Sequence, residues 1–116
     1  MITYNHEQYI ERAIQGILQQ VTDFEIELVI GEDYSEDGTR EICATYAHDY
    51  PEIVKLLPKS ERKGMSKNFL DTINMCKSKY IAFCEGDDYW IDPNKLQMQV
   101  DFLEKNPSFA LSSTRY

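Results

Sequence analysis

Phe24-Glu25-Ile26-Glu27-Leu28-Val29-Ile30-Gly31 is followed at once by Glu32-Asp33. The end of this run is nearly continuous in apolar and β-branched residues, the pattern of a strand entering a buried sheet. Upstream, Glu7 to Gln20 sets Ile10, Ala13, Ile14, Ile17 and Leu18 at three- and four-residue spacing, which predicts a helix with Asn5 as its cap. Downstream, Ser35-Glu36-Asp37-Gly38-Thr39 turns into a second helix carrying Ile42, Cys43, Tyr46 and Ala47 and limited by Pro51.

The same alternation continues. Ile53 to Leu57 predicts a short strand stopped by Pro58, and Lys59 to Gly64 a charged loop. A third helix follows with Phe69, Leu70, Ile73 and Cys76 on its apolar face. Tyr80-Ile81-Ala82-Phe83-Cys84 predicts a buried strand that ends in Glu85-Gly86-Asp87-Asp88. Asp92-Pro93 opens a fourth helix with proline at its first position; Leu96, Val100 and Leu103 form its apolar face and Asn106-Pro107 ends it. Phe109 to Thr114 reads as a last strand.

Helices and strands in strict alternation predict an α/β layered fold with a mainly parallel sheet, as one domain over residues 1–116. Ligands of such sheets collect at the carboxyl ends of the strands. Two acidic clusters fall there, Glu32-Asp33 and Glu85 to Asp88. Only Ile2-Thr3-Tyr4 precedes the first helix, where a domain of this type opens with a full strand, and the chain stops right after its last predicted strand. The expectation is a domain clipped at both ends, with a strand edge left uncovered that invites pairing with another chain as a homo-oligomer.

Acids outnumber bases by 20 to 12, a net charge of −8. Such a surface repels polyanions and argues against a nucleic-acid partner, while a metal and a few bases still allow a small phosphorylated ligand. The three cysteines, Cys43, Cys76 and Cys84, are odd in number and form no C-x-x-C pair. Cys43 and Cys84 sit in apolar contexts and read as reduced, buried thiols, which fits a reducing, cytoplasmic compartment. No signal peptide or membrane-spanning run is visible, which leaves peripheral association at the inner face of a membrane open.

Three carboxylates within Glu85-Gly86-Asp87-Asp88 would raise one another's pKa unless a hard divalent cation shared them. A solvated acidic turn before a helix accounts for the cluster alone equally well. Asp33, Ser35, Asp37 and Gly38 imitate the start of a calcium loop, but the position that needs a bidentate glutamate is Ala44 and the preceding segment is a strand, so calcium is rejected. Asp37 or Ser35 can serve simply to cap the next helix, whereas Asp33, at the strand end, can accept the N–H of a nucleobase. Lys63-Gly64-Met65-Ser66-Lys67-Asn68 puts glycine and lysine at a helix start, a weak phosphate signal. Neither His6 nor His48 has a partner at useful spacing.

Taken together, four segments resemble family 2 glycosyltransferases, inverting enzymes of the GT-A fold. They are Thr3-Tyr4-Asn5 with Tyr9-Ile10; Glu32-Asp33-x-Ser35-x-Asp37-Gly38-Thr39; Gly64-x-x-Lys67-Asn68; and Tyr80 through Asp88. The resemblance implies a three-layer, Rossmann-like sandwich that binds a nucleotide sugar, with a UDP-sugar as donor. Thr3, Tyr4 and Asn5 would line the nucleotide pocket, Asp33 would bind the base, and Lys67 would lie near the nucleotide or its phosphates. Glu85 and Asp87 match the D-x-D motif, with Asp87 the better ligand of Mg²⁺ or Mn²⁺ and Asp88 in support. Glu85 replaces the usual first aspartate with a longer arm, able to reach the ribose or a metal-bound water.

The acceptor implied is a glycan or a lipid-linked glycan of bacterial polysaccharide or lipopolysaccharide synthesis. The family's general base and acceptor region lie beyond the D-x-D half, so the base is expected beyond Tyr116 and these residues alone are expected not to turn over. The competing reading is a non-catalytic module that binds nucleotide or metal. A signalling domain of doubly wound type fits the paired acidic motif poorly.

Overall fold

The computed structural model describes residues 1–58 and 61–114. The elements are β1 (Ile2–Thr3), α1 (Ile10–Leu18), β2 (Leu28–Glu32), α2 (Thr39–Asp49), β3 (Val54–Leu56), α3 (Met65–Met75) and α4 (Lys95–Lys105). The strands form one parallel sheet in the order β1-β2-β3. Ile2 pairs with Gly31 and Thr3 with Glu32 on one side of β2; Leu28 pairs with Val54 and Ile30 with Leu56 on the other. Met1 carries the ladder further, its amino group donating to Val29 O at 2.8 Å and its carbonyl accepting from Gly31 N at 2.9 Å.

Every residue of the central strand β2 is buried, as its apolar run predicts. Its side chains alternate between faces. Leu28 and Ile30 join Ile10, Ile14 and Ile17 of α1, Cys43 of α2 and Val54 of β3 in one core cluster. Ile10, Ile14 and Ile30 are wholly excluded from solvent, and each contributes about 1.5–3 kcal/mol of burial free energy. The opposite face of β2 receives α3, where Asn68 Nδ2 donates to Gly31 O at 2.7 Å. Helices, sheet and helix thus form the three layers of the predicted α/β sandwich.

The helix α3 corrects the sequence reading of its inner face. Asn68 and Thr72 are buried, whereas Phe69 and Leu70 are exposed. Gly31 is the reason: a Cβ there would lie 2.8 Å from Asn68 Oδ1 and nearer still to Thr72 Oγ1. Backbones this close leave room for small polar side chains that satisfy a strand carbonyl, and none for Phe or Leu. Phe69 instead stacks on Phe83, with ring centroids 5.7 Å apart.

Two predicted strands are absent among the described residues. Residues 80–84 run without a ladder, with Ile81 42% and Phe83 62% exposed, so the acidic cluster does not end a buried strand. Beside them β1 is two residues long and offers little to pair with; Gly86 N donates to Ile2 O at 3.0 Å. Residues 109–114 also lack strand structure, and Phe109 packs on Phe102 with centroids 5.5 Å apart.

Helix starts differ as well. The first helix begins at Ile10, preceded by a turn in which His6 O accepts from Tyr9 N and Ile10 N, so Asn5 does not cap it. The fourth begins at Lys95 after an Asp92 turn, whose Oδ1 accepts from Asn94 N at 2.8 Å, and Pro93 is not its first residue. Lys59 and Ser60 of the predicted charged loop lie outside the described residues.

Candidate functional site

Three segments meet at the carboxyl end of the sheet. Thr3, the last residue of β1, lies between them: its carbonyl accepts from Asp33 N at 3.0 Å, and Gly86 stands against its side chain. The register of β1 on β2 and the Gly86 N to Ile2 O bond therefore bring Asp33 and the acidic cluster to one end of the fold.

Residues 4–7 form a loop held by the Asp37-Gly38-Thr39 turn. Asn5 takes a φ of 54°, a conformation asparagine tolerates better than most residues. Its N–H donates to Ser35 Oγ at 3.0 Å and its Oδ1 accepts from Glu36 N at 2.9 Å. His6 N donates to Thr39 Oγ1 at 2.8 Å, and Glu7 N to Asp37 Oδ2 at 3.1 Å. Asp37 Oδ1 also accepts from Thr39 N at 3.0 Å and from the Thr39 hydroxyl. Desolvation opposes ionisation of Asp37, yet these bonds outweigh it and hold the carboxyl below its ordinary range. The Tyr4 ring lies under Arg62, whose guanidinium carbon is 4.1 Å from the ring centroid.

Of the two acids ending β2, Glu32 is structural. Its side chain is inaccessible, accepts from Ser35 N, and pairs with Arg40 Nη1 at 3.4 Å. Asp33, 6% exposed, accepts from Lys63 N at 2.6 Å through Oδ1 and from Gly64 N at 2.9 Å through Oδ2. Each oxygen keeps a further lone pair for a ligand donor. Lys67 stands exposed in the first turn of α3.

In the acidic cluster, Asp88 N donates to Glu85 O at 3.1 Å and closes a tight turn. Glu85, Asp87 and Asp88 are exposed, while Cys84 and Gly86 are buried beneath them. Burial, reinforced by Asp88, pushes the Cys84 thiol up to about 11, so it stays protonated at neutral pH. His6, passed over in the sequence because its partners are distant along the chain, belongs to this group. Its Nδ1 is 3.1 Å from Thr3 Oγ1 and its Nε2 is 3.9 Å from Asp87 Oδ2.

Among the described residues, no three His, Cys, Asp or Glu side chains converge into a ready-made cage. The donor set nonetheless fits Mg²⁺ or Mn²⁺, which are commonly held by one or two carboxylates while water and substrate phosphate complete the shell. Exposed Asp87 and Glu85 could serve in that mode and would let the ion polarise a diphosphate leaving group. An apolar groove of about 380 Å³ between α4 and residues 109–113, lined by Met98, Phe102, Phe109 and Leu111, contains no titratable side chain to match this chemistry.

The chain is similar to an uncharacterized protein of Mycobacterium tuberculosis, 41% identical over 106 residues that make up 91% of this chain and 31% of the relative. It is also similar to the dTDP-rhamnosyl transferase RfbG of Shigella flexneri, 33% identical over 117 residues, 97% of this chain and 40% of the relative. It therefore spans about a third to two fifths of the length of these relatives. Among solved structures, S. aureus TarS shares the fold at a TM-score of 0.74 and 25% identity, covering 90% of this chain and 18% of TarS. TarS 1–349 in complex with UDP gives a TM-score of 0.76 at 24% identity, covering 91% and 31%. Mannosyltransferase PcManGT from Pyrobaculum calidifontis, in complex with GDP-Man and Mn²⁺, gives 0.76 at 24%, covering 88% and 30%. The family model for glycosyl transferase family 2 matches residues 1–116, and the chain belongs to that family.

Proposed function

We propose that this chain is the donor-binding part of an inverting glycosyltransferase that uses a nucleotide diphosphate sugar, with UDP-sugar favoured, and Mg²⁺ or Mn²⁺. The observation that carries the reading is the meeting of Asp33, Thr3 and the Gly86-Asp87 turn at one end of the sheet. Thr3, Tyr4 and Asn5 line the nucleotide pocket. Asp33, already clamped by two backbone amides, offers its remaining lone pairs to a base N–H. Uracil and thymine share that N3–H, so the reading accommodates RfbG's dTDP as well as the UDP bound by TarS. Asp87, with Glu85, would hold the ion, which would supply Lewis-acid stabilisation of the leaving nucleotide, and PcManGT, bound to GDP-Man and Mn²⁺, supports a metal-assisted donor site. Lys67 approaches the phosphates and Asp88 supports the turn.

The acceptor is a glycan or lipid-linked glycan of bacterial polysaccharide or lipopolysaccharide assembly, encountered in the cytoplasm or at the inner face of the membrane. No helix among the described residues is long and apolar enough to cross a membrane.

Isothermal calorimetry with UDP, dTDP and GDP, each with and without Mn²⁺, tests the reading. UDP or dTDP should give heat only with the metal, and Asp87→Asn should abolish the metal dependence. No heat from any nucleotide with Mn²⁺ removes the site assignment.

A further inference from the structure

We propose that His6 is a further protein ligand of the divalent cation, its Nε2 sharing the ion with Asp87 Oδ2. This rests on the reading of Asp87 as the metal-binding carboxylate and adds to it a nitrogen ligand from the opposite end of the chain.

The His6 backbone is fixed on both sides, with its N–H on Thr39 Oγ1 and its carbonyl accepting from Tyr9 N and Ile10 N. The ring is fixed too. A Cβ on Gly86 would lie 2.8 Å from Nδ1, so the imidazole abuts the turn that carries Asp87. Nδ1 is 3.1 Å from the hydroxyl of Thr3, which is 3% exposed. Metal-binding histidines characteristically donate their other ring N–H to a fixed acceptor, which sets the tautomer. In the tautomer that donates Nδ1–H to Thr3 Oγ1, Nε2 would carry the lone pair on the side of Asp87.

The separation is informative. At 3.9 Å, Nε2 and Asp87 Oδ2 are too far apart for a hydrogen bond. Ligands about 2.1 Å from one octahedral ion lie about 3.0 Å apart when adjacent and about 4.2 Å apart when opposite, so a small adjustment of the exposed Asp87 side chain would let both atoms share an ion. In the tautomer with Nδ1–H on Thr3, Nε2 and the Asp87 carboxylate are both acceptors, and a cation between them would satisfy both. The His6 side chain is 25% and that of Asp87 51% exposed, so the gap is open to solvent and to a diphosphate that would complete the shell. A nitrogen ligand also shifts preference from Mg²⁺ toward a transition ion such as Mn²⁺.

The chain contains two histidines, and His48 lies exposed in the last turn of α2, which makes a spectroscopic test clean. The chain is loaded with Mn²⁺ and UDP and examined by pulsed electron paramagnetic resonance, unlabelled and with ¹⁵N-histidine. The expected result is nitrogen modulation on Mn²⁺ that changes with the isotope, persists in His48→Gln and disappears in His6→Gln. His6→Gln should weaken Mn²⁺ by about tenfold, the loss typical of disturbing a ligand's environment, and Mg²⁺ by no more than roughly threefold. Mn²⁺ bound without histidine modulation in the wild type overturns this inference and leaves the Asp87 reading standing. No Mn²⁺ binding overturns both. The labelled wild type decides the matter even if the His6 variant fails to fold.

Discussion

Gly86 faces Thr3 so closely that a Cβ on the glycine would stand 2.7 Å from Thr3 Cβ, and closer to its hydroxyl. This contact joins the end of β1 to the acidic turn, and with it the two halves of the candidate site. Gly86→Ala cannot be absorbed by a flexible side chain, because Thr3 is 3% exposed and β-branched, and His6 fills the other side. The turn must move away. The expected outcome is a loss of about 1–3 kcal/mol of stability in urea denaturation, the range for overpacking. Metal-dependent UDP binding should be lost under conditions where the variant remains folded. A Gly86→Ala variant with unchanged stability and binding would show that the contact constrains nothing.

Asp33 gives a second prediction. Its two oxygens accept backbone N–H groups of Lys63 and Gly64, so Asp33→Asn leaves one amide facing an NH₂ donor. A buried donor left unpaired costs about 1–3 kcal/mol. Hydrogen exchange at Lys63 and Gly64 should accelerate, and nucleotide binding should weaken even with Mn²⁺ saturating. Unchanged exchange at both amides would contradict the clamp.

What the sequence made legible depended on distance along the chain. The three-four spacing of Ile10, Ala13, Ile14 and Ile17 is a local property, and all four are buried as read. The apolar run of β2 is equally local. The inner face of α3 was not legible, because the burial of Asn68 and Thr72 follows from Gly31 on another element. The Tyr80–Cys84 segment has the composition of a buried strand, but a strand needs a partner, and β1 is two residues long. In the site, the motif segments do meet, yet Glu32 turns inward to Arg40 and His6 turns toward Asp87. Neither orientation is encoded by neighbours in sequence.

The cysteines give a third prediction. Burial, reinforced by Glu32, pushes the Cys43 thiol up to about 12, and burial with Asp88 pushes Cys84 up to about 11. Both are buried and free, while Cys76 is half-buried. Alkylation needs access and thiolate. With the folded chain near pH 8, iodoacetamide should modify Cys76 first, and Cys43 and Cys84 only at the rate of unfolding, as mass spectrometry of timed samples would reveal. Rapid native labelling of Cys84 would show that the acidic turn opens far more readily than its packing on Thr3 implies.

Asp37 contributes to the acid limb of stability. Despite desolvation, bonds from Thr39 and Glu7 hold its folded pKa below the unfolded value. A carboxyl of this kind binds more protons unfolded than folded between those two values, so its contribution is complete above the unfolded pKa of about 4 and declines as pH falls through the folded one. Asp37→Asn should therefore be less stable than the wild type near neutral pH, with the gap narrowing below about pH 4. Urea midpoints across that range test it. The same bonds hold residues 5–7 against the α2 turn, so the variant should also release the loop that carries His6. A gap that stays constant with pH would mean that the Asp37 carboxylate charge contributes nothing to this junction, and that the Thr39 hydroxyl alone anchors it.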